Sequence, residues 1–174
     1  ELMGGSIRVE STQGAGTKFT VDISFDIAAE EDVYGNQIPE QPDTLARMEG
    51  KRILLAEDND LNAEIAIELL AEQKIIADRA IDGADCLDKL EKAAPEYYNM
   101  ILMDIQMPVM DGYDATVRIR RMKDEKKASI PIIAMTANAF AEDRQKAISV
   151  GMNDHVAKPI DMNVLLPVIA KYIR

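Results

Sequence analysis

Cysteine occurs once in this 174-residue chain, and no apolar run of membrane-spanning length, no basic excess and no signal-peptide pattern is present. With Cys86 alone, an intrachain disulfide is excluded and a reducing, cytoplasmic setting is expected; the residue reads as a small side chain packed in a helix. A spanning helix needs roughly 20 apolar residues, whereas Val164-Leu165-Leu166-Pro167-Val168-Ile169-Ala170 is short and holds a proline. No direct membrane contact is expected from these residues. The net charge is −11: residues 1–50 carry 3 Lys/Arg against 10 Asp/Glu, and residues 51–174 carry 17 against 21. Phosphate backbones call for the opposite balance, so no nucleic-acid partner is expected. The chain opens on Glu1 rather than methionine, as a piece of a longer protein would. Its 47% apolar and 29% charged residues are those of a globular protein, in a length that suits one domain of ~100–150 residues and a remainder.

The pattern divides into three segments, 1–27, 28–50 and 51–174. In the first, Ser6-Ile7-Arg8-Val9-Glu10-Ser11 and Thr17-Lys18-Phe19-Thr20-Val21-Asp22-Ile23-Ser24-Phe25 alternate with period two across Gln13-Gly14-Ala15-Gly16. That predicts a β-hairpin, which needs a partner surface to be stable. Residues 28–50 are acidic, carry Pro39 and Pro42 and hold no period, which is linker composition; Asp43 or Thr44 could cap a short helix reaching Glu49.

From Lys51 strands and helices alternate five times. Short apolar runs at Ile53–Ala56, Ile75–Ala77, Met100–Met103, Pro131–Met135 and Val156–Ala157 predict buried strands. Between them, Asn59 or Asp60 caps a helix bearing Leu61, Ile65, Leu69 and Leu70, and Gly83 opens one bearing Leu87 and Leu90. Further helices follow from Tyr113, near Glu142–Val150, and after Asp161. Alternating β and α with continuous apolar strands implies a parallel sheet covered on both faces. Five units are too few for an eight-stranded barrel, which leaves an α/β, doubly wound open sheet. In such sheets the site lies beyond the carboxyl ends of the strands.

Polar residues gather at those ends: Glu57-Asp58 after the first strand, Asp104 at the third, Thr136 at the fourth, Lys158-Pro159 after the fifth. Clustered carboxylates repel and raise one another's pKa unless a cation neutralises them. Mg²⁺ suits oxygen-only ligands with retained waters. A lysine can pair with a carboxylate at rest and with a phosphoryl oxygen afterwards. Taken singly, each residue has an ordinary structural reading as a helix cap, strand residue or surface dipeptide; the joint occurrence is the signal.

With Ile53-Leu54-Leu55-Ala56-Glu57-Asp58-Asn59, Met103-Asp104-Ile105-Gln106-Met107-Pro108-Val109-Met110-Asp111-Gly112, Ile132-Ile133-Ala134-Met135-Thr136-Ala137 and Gly151-Met152-Asn153-Asp154-His155-Val156-Ala157-Lys158-Pro159, residues 51–174 resemble the response-regulator receiver family of two-component signalling. The resemblance implies a flavodoxin-like sheet of order 2-1-3-4-5. It implies that Asp104 takes a phosphoryl group from a partner's phosphohistidine, with Mg²⁺ held by Asp58, Asp104, the backbone carbonyl of Gln106 and, through water, Glu57. Lys158 and Thr136 would bind phosphoryl oxygens, and Thr136 would couple the site to the surface of the last two strands and helices. Gln106 and Asn138 stand where the family tunes phosphoryl lifetime; two amides there imply faster hydrolysis than in a Gln106→Met, Asn138→Ala variant. The family's switch residue, usually Tyr or Phe, is here His155. Either it is a partly exposed ring packed at the strand end, or it fills the switch role and makes activation sensitive to pH.

The first 27 residues carry a second resemblance. Leu2-Met3-Gly4-Gly5-Ser6-Ile7-Arg8-Val9, Ser11 and Gly14-Ala15-Gly16-Thr17-Lys18-Phe19 are similar to the end of a sensor histidine kinase's ATP-binding domain. There the glycine box lies beside nucleotide phosphates, but the rest of that domain is absent. Gly14, Gly16 and Thr17 are therefore expected to bind no ATP here, and kinase activity is expected to be nil. Together the resemblances imply a hybrid histidine kinase whose core donates phosphate to the receiver, which relays it to a histidine phosphotransfer domain. Among rivals, a haloacid-dehalogenase-type Mg²⁺ phosphatase wants a second carboxylate where Gln106 stands. A flavin-binding module wants a phosphate loop where Glu57-Asp58-Asn59-Asp60 would repel it. An unphosphorylated receiver-like interaction domain normally lacks one of the acids or the lysine.

Overall fold

The computed structural model describes residues 5–12, 14, 16–22, 47–137 and 141–173, in two units. The first is a hairpin of β1 (Ser6–Thr12) and β2 (Gly16–Asp22), antiparallel, with Ile7 opposite Val21 and Val9 opposite Phe19. Gly14 and Gly16 have φ of 81° and 111°, values that glycine adopts without a Cβ penalty. The expected strand positions Ile23 and Phe25, and the possible helix start at Asp43 or Thr44, lie outside the described residues.

The second unit is the predicted doubly wound sheet. Its strands are β3 (Arg52–Ala56), β4 (Ile76–Ala80), β5 (Met100–Asp104), β6 (Ile132–Thr136) and β7 (Asp154–Ala157), parallel throughout and ordered β4-β3-β5-β6-β7. This is the flavodoxin-like order 2-1-3-4-5. The helices are α1 (Asp60–Glu72), α2 (Gly83–Lys92), α3 (Gly112–Arg120), the single turn α4 (Glu125–Ala128), α5 (Ala141–Ser149) and α6 (Met162–Tyr172). Asn59, Asp82, Asp111, Asp124 and Asp161 cap α1, α2, α3, α4 and α6, each side chain accepting from a main-chain N–H of the first turn. Those caps satisfy donors a helix start leaves open.

Strand side chains alternate between faces, so one sequence run serves two cores. Ile53, Leu55, Met100, Leu102, Ile133 and Met135 pack with Leu70 of α1 and Leu165 and Ile169 of α6. Leu54, Ile101, Met103, Ile132 and Ala134 pack with Cys86 and Leu90 of α2 and Ile119 of α3. Each fully buried Leu or Ile contributes about 1.5–3 kcal/mol. The second strand runs three residues beyond Ala77, because an edge strand tolerates the half-buried Asp78 and Arg79. Arg52 Nη1 donates to both Asp78 oxygens at 2.9 Å. Among the described residues no helix is long and apolar enough to cross a membrane.

Candidate functional site

The carboxyl ends of β3, β5, β6 and β7 open on a cleft of about 230 Å³ lined by Glu57, Asp58, Asp104, Gln106, Thr136 and Lys158, with Asn59, Asn62 and Tyr113 at its rim. Strand order gathers most of them, since four neighbouring strands end in or are followed by polar residues: Glu57 and Asp58 after β3, Asp104 on β5, Thr136 on β6 and Lys158 after β7. Glu57, Asp104 and Thr136 are buried, at 2%, 6% and 4% exposure, while Asp58 is exposed.

Lys158 organises the floor. Its Nζ donates to the Glu57 carboxylate and, at 2.7 Å, to Asp104 Oδ2, and its main-chain N–H donates to the Thr136 carbonyl at 2.8 Å. Asp104 Oδ1 accepts the Gln106 main-chain N–H at 3.2 Å, and Glu57 Oε1 accepts Asn62 Nδ2 at 3.1 Å. Burial pushes the Asp104 carboxyl above its ordinary value; the bonds from Lys158 and Gln106 oppose this without cancelling it, and Glu57 adds to it. Burial alone would lower the Lys158 ammonium, but its bonds to Asp104 and Glu57 outweigh that and raise it. Two carboxylates, Glu57 and Asp104, thus share the one Lys158 ammonium in a buried setting.

Oxygens of Glu57, Asp58 and Asp104 lie within 4.8 Å of one another. An oxygen-only donor set, net negative and open to water at Asp58, fits a hard divalent cation such as Mg²⁺. Backbone packing supports the position of Asp104: the Gly112 N–H donates to the Ile105 carbonyl at 3.0 Å, and a Cβ on Gly112 would lie 2.2 Å from the Asp104 carbonyl oxygen.

Of the sequence-derived site residues, Glu57, Asp58, Asp104, Gln106, Thr136 and Lys158 converge on this cleft. Asn138 lies outside the described residues. His155 sits on β7 opposite Ala134 of β6, half-buried, with Nδ1 buried and 3.7 Å from Asp154 Oδ1. Gly14, Gly16 and Thr17 belong to the hairpin, where the Thr17 and Ser11 hydroxyls pair at 2.8 Å. Two polar neighbours were not foreseen. Asn62 steadies Glu57, and Arg79 bonds the main chain of the acidic loop. A helix-start asparagine and a strand arginine carry no signal until the loop is folded.

The sequence matches the model of the response regulator receiver domain over residues 53–170. Sensor protein EvgS of Escherichia coli K12 is 35% identical over 94% of this chain and 13% of its own length. Hybrid signal transduction histidine kinase B of Dictyostelium discoideum is 39% identical over 71% of this chain and 7% of its own. The chain thus spans only a small part of these relatives. Among solved structures, the receiver domain of sensor histidine kinase PA1611 from Pseudomonas aeruginosa PAO1, with a magnesium ion coordinated in its active-site cleft, is 36% identical. It covers 71% of this chain and 97% of its own, with a TM-score of 0.63. The receiver domain of Saccharomyces cerevisiae Ssk1, solved with the histidine phosphotransfer signalling protein Ypd1, is 27% identical over 72% of this chain and 90% of its own, with a TM-score of 0.65. Sequence, strand order and the acids converging on one lysine agree, and this chain belongs to the response regulator receiver domain family.

Proposed function

We propose that residues 51–174 are the phosphoacceptor receiver of a hybrid histidine kinase, with Asp104 accepting the phosphoryl group. The observation that carries this is Lys158 bridging Asp104 and Glu57 beside the exposed Asp58, at the carboxyl ends of the strands. Asp104 would attack phosphorus with one carboxylate oxygen; at rest Lys158 holds its Oδ2 and the Gln106 N–H its Oδ1. Lys158 opposes the effect of burial on that carboxylate and can move onto a phosphoryl oxygen as charge shifts there. Thr136 offers a hydroxyl to a second oxygen. Asp58, Asp104 and the Gln106 carbonyl would hold Mg²⁺, with Glu57 acting through water. Bound there, the ion supplies charge neutralisation for the incoming phosphoryl group.

The donor we assign is the phosphohistidine of a kinase core, and the acceptor downstream a histidine phosphotransfer domain. The resemblance to hybrid kinases and the Ypd1-bound Ssk1 receiver support both. Residues 1–27 are read as the end of the kinase's ATP-binding domain and 28–50 as a linker, in a cytoplasmic setting. The match to sensor protein EvgS over 94% of this chain extends beyond the receiver segment into the hairpin residues, which supports the reading of the first segment.

The test is intact-mass spectrometry after incubation with Mg²⁺ and acetyl phosphate or phosphoramidate. A metal-dependent gain of one phosphoryl group in the wild type, absent in Asp104→Ala, is expected. No gain in a folded, Mg²⁺-binding chain, with phosphohistidine donors failing too, favours an unphosphorylated interaction domain.

His155 we place at the switch position. Asp154, held in turn by Lys171 and Tyr172 of α6, is a charged group beside its ring. A His155→Phe variant should lose the pH dependence of the phosphorylation-driven shift between 5.5 and 8, read from Thr136 and Ala157 amide resonances. An unchanged profile removes the pH role.

A further inference from the structure

The acidic loop after β3 carries two of the three clustered carboxylates, and one side chain from another strand grips its main chain. Arg79, on edge strand β4 opposite Leu55 of β3, donates from Nε to the Glu57 carbonyl at 3.0 Å and from Nη2 to the Asp58 carbonyl at 2.9 Å. Nη1 reaches Asp60 Oδ1 at 2.7 Å in the first turn of α1. From the same strand the Ala80 carbonyl accepts the Glu57 N–H at 3.0 Å. Two consecutive carbonyls fixed by one rigid guanidinium set the peptide plane between Glu57 and Asp58, and with it the directions in which both side chains leave the chain. The Asp60 carboxylate is 93% exposed, so that pair adds little by itself; the carbonyl bonds, with the guanidinium 23% exposed, are the structural content.

We propose that Arg79 is a positioning residue for the divalent-cation site: it holds the Glu57–Asp58 main chain so that both carboxylates face the cleft. The proposal rests on the reading of that cleft as a Mg²⁺ site. Its weight comes from a conflict of signs. A fixed positive charge close to a cation site repels the cation, so if Arg79 acted only through its field, removing it would tighten Mg²⁺ binding. If it acts through the geometry of the loop, removing it weakens binding, as loss of an outer partner of metal ligands does. Lysine keeps the charge but cannot bridge two carbonyls with a planar fork.

The experiment is calorimetric titration of Mg²⁺ into the full chain as wild type, Arg79→Gln and Arg79→Lys, with Asp58→Asn as the reference for a lost ligand. Arg79→Gln should bind about 10-fold more weakly, and Arg79→Lys should also bind more weakly than wild type. Circular dichroism should show the wild-type fold. If the glutamine variant does not fold, the lysine variant decides. Wild-type or tighter affinity in a folded variant overturns the role of Arg79 while leaving the metal site standing. Absence of Mg²⁺ binding in the wild type overturns both.

Discussion

Gly112 shows how little room the main chain at Asp104 has. A Cβ at Gly112 would meet the Asp104 carbonyl oxygen at 2.2 Å and Met103 Cγ at 2.9 Å. Backbone cannot yield as a flexible side chain can, so Gly112→Ala must push the end of β5 or the start of α3. A loss of about 1–3 kcal/mol in urea unfolding is expected, with weaker phosphorylation of Asp104, because its carboxylate rides on the displaced segment. An unchanged midpoint would show that the turn re-forms without strain. Cys86 illustrates the opposite case, a residue with reactive chemistry that the fold silences. It is fully buried, and burial pushes its thiol up to about 12, as its expected packing role requires.

At the scale of elements, β7 and α6 are tied through one carboxylate. Asp154 Oδ2 accepts from Lys171 at 2.9 Å and from the Tyr172 hydroxyl at 3.2 Å, and Oδ1 from the His155 N–H at 3.0 Å. Burial alone would raise this carboxyl, but Lys171, the His155 N–H and Tyr172 outweigh it and hold it below its ordinary 3.8. A folded value below the unfolded one means the contribution is complete above the unfolded value and disappears as pH falls through the folded one. Asp154→Asn should therefore be less stable than wild type at pH 6, and the gap should close as pH drops below about 3.8. Urea midpoints from pH 6 to 2.5 check this; a constant gap would assign the aspartate a pH-independent packing role. Sequence patterning found every other strand of the sheet within about a residue or two at each end but cut β4 short. Asp78 and Arg79 look like loop residues, and only the edge position, with Arg52 and the acidic loop as partners, makes them strand. The single turn α4, four residues with no apolar period, had no signal at all.

At the scale of the molecule, a ligand that binds only the folded chain stabilises all of it. Mg²⁺ at about 100 times its dissociation constant should add about 2.7 kcal/mol to the α/β unit, seen as a raised melting temperature that Asp58→Asn largely abolishes. Equal melting curves with and without Mg²⁺ would mean the acidic cluster is served by Lys158 alone. By itself the sequence determined the class and two-faced burial of the sheet, because the periods of apolar residues are local properties that the strands and helices inherit directly; its order came only with the resemblance to the receiver family and the fold itself. It also determined which chemistry stands at the strand ends, since polar residues directly after an apolar run are legible in one dimension. What only the tertiary structure decided is which side chains share protons and charge. Lys158 and Glu57 lie 101 residues apart, and Arg79 finds two carbonyls that no side-chain pattern encodes, because main-chain acceptors are the same at every position until the fold chooses among them.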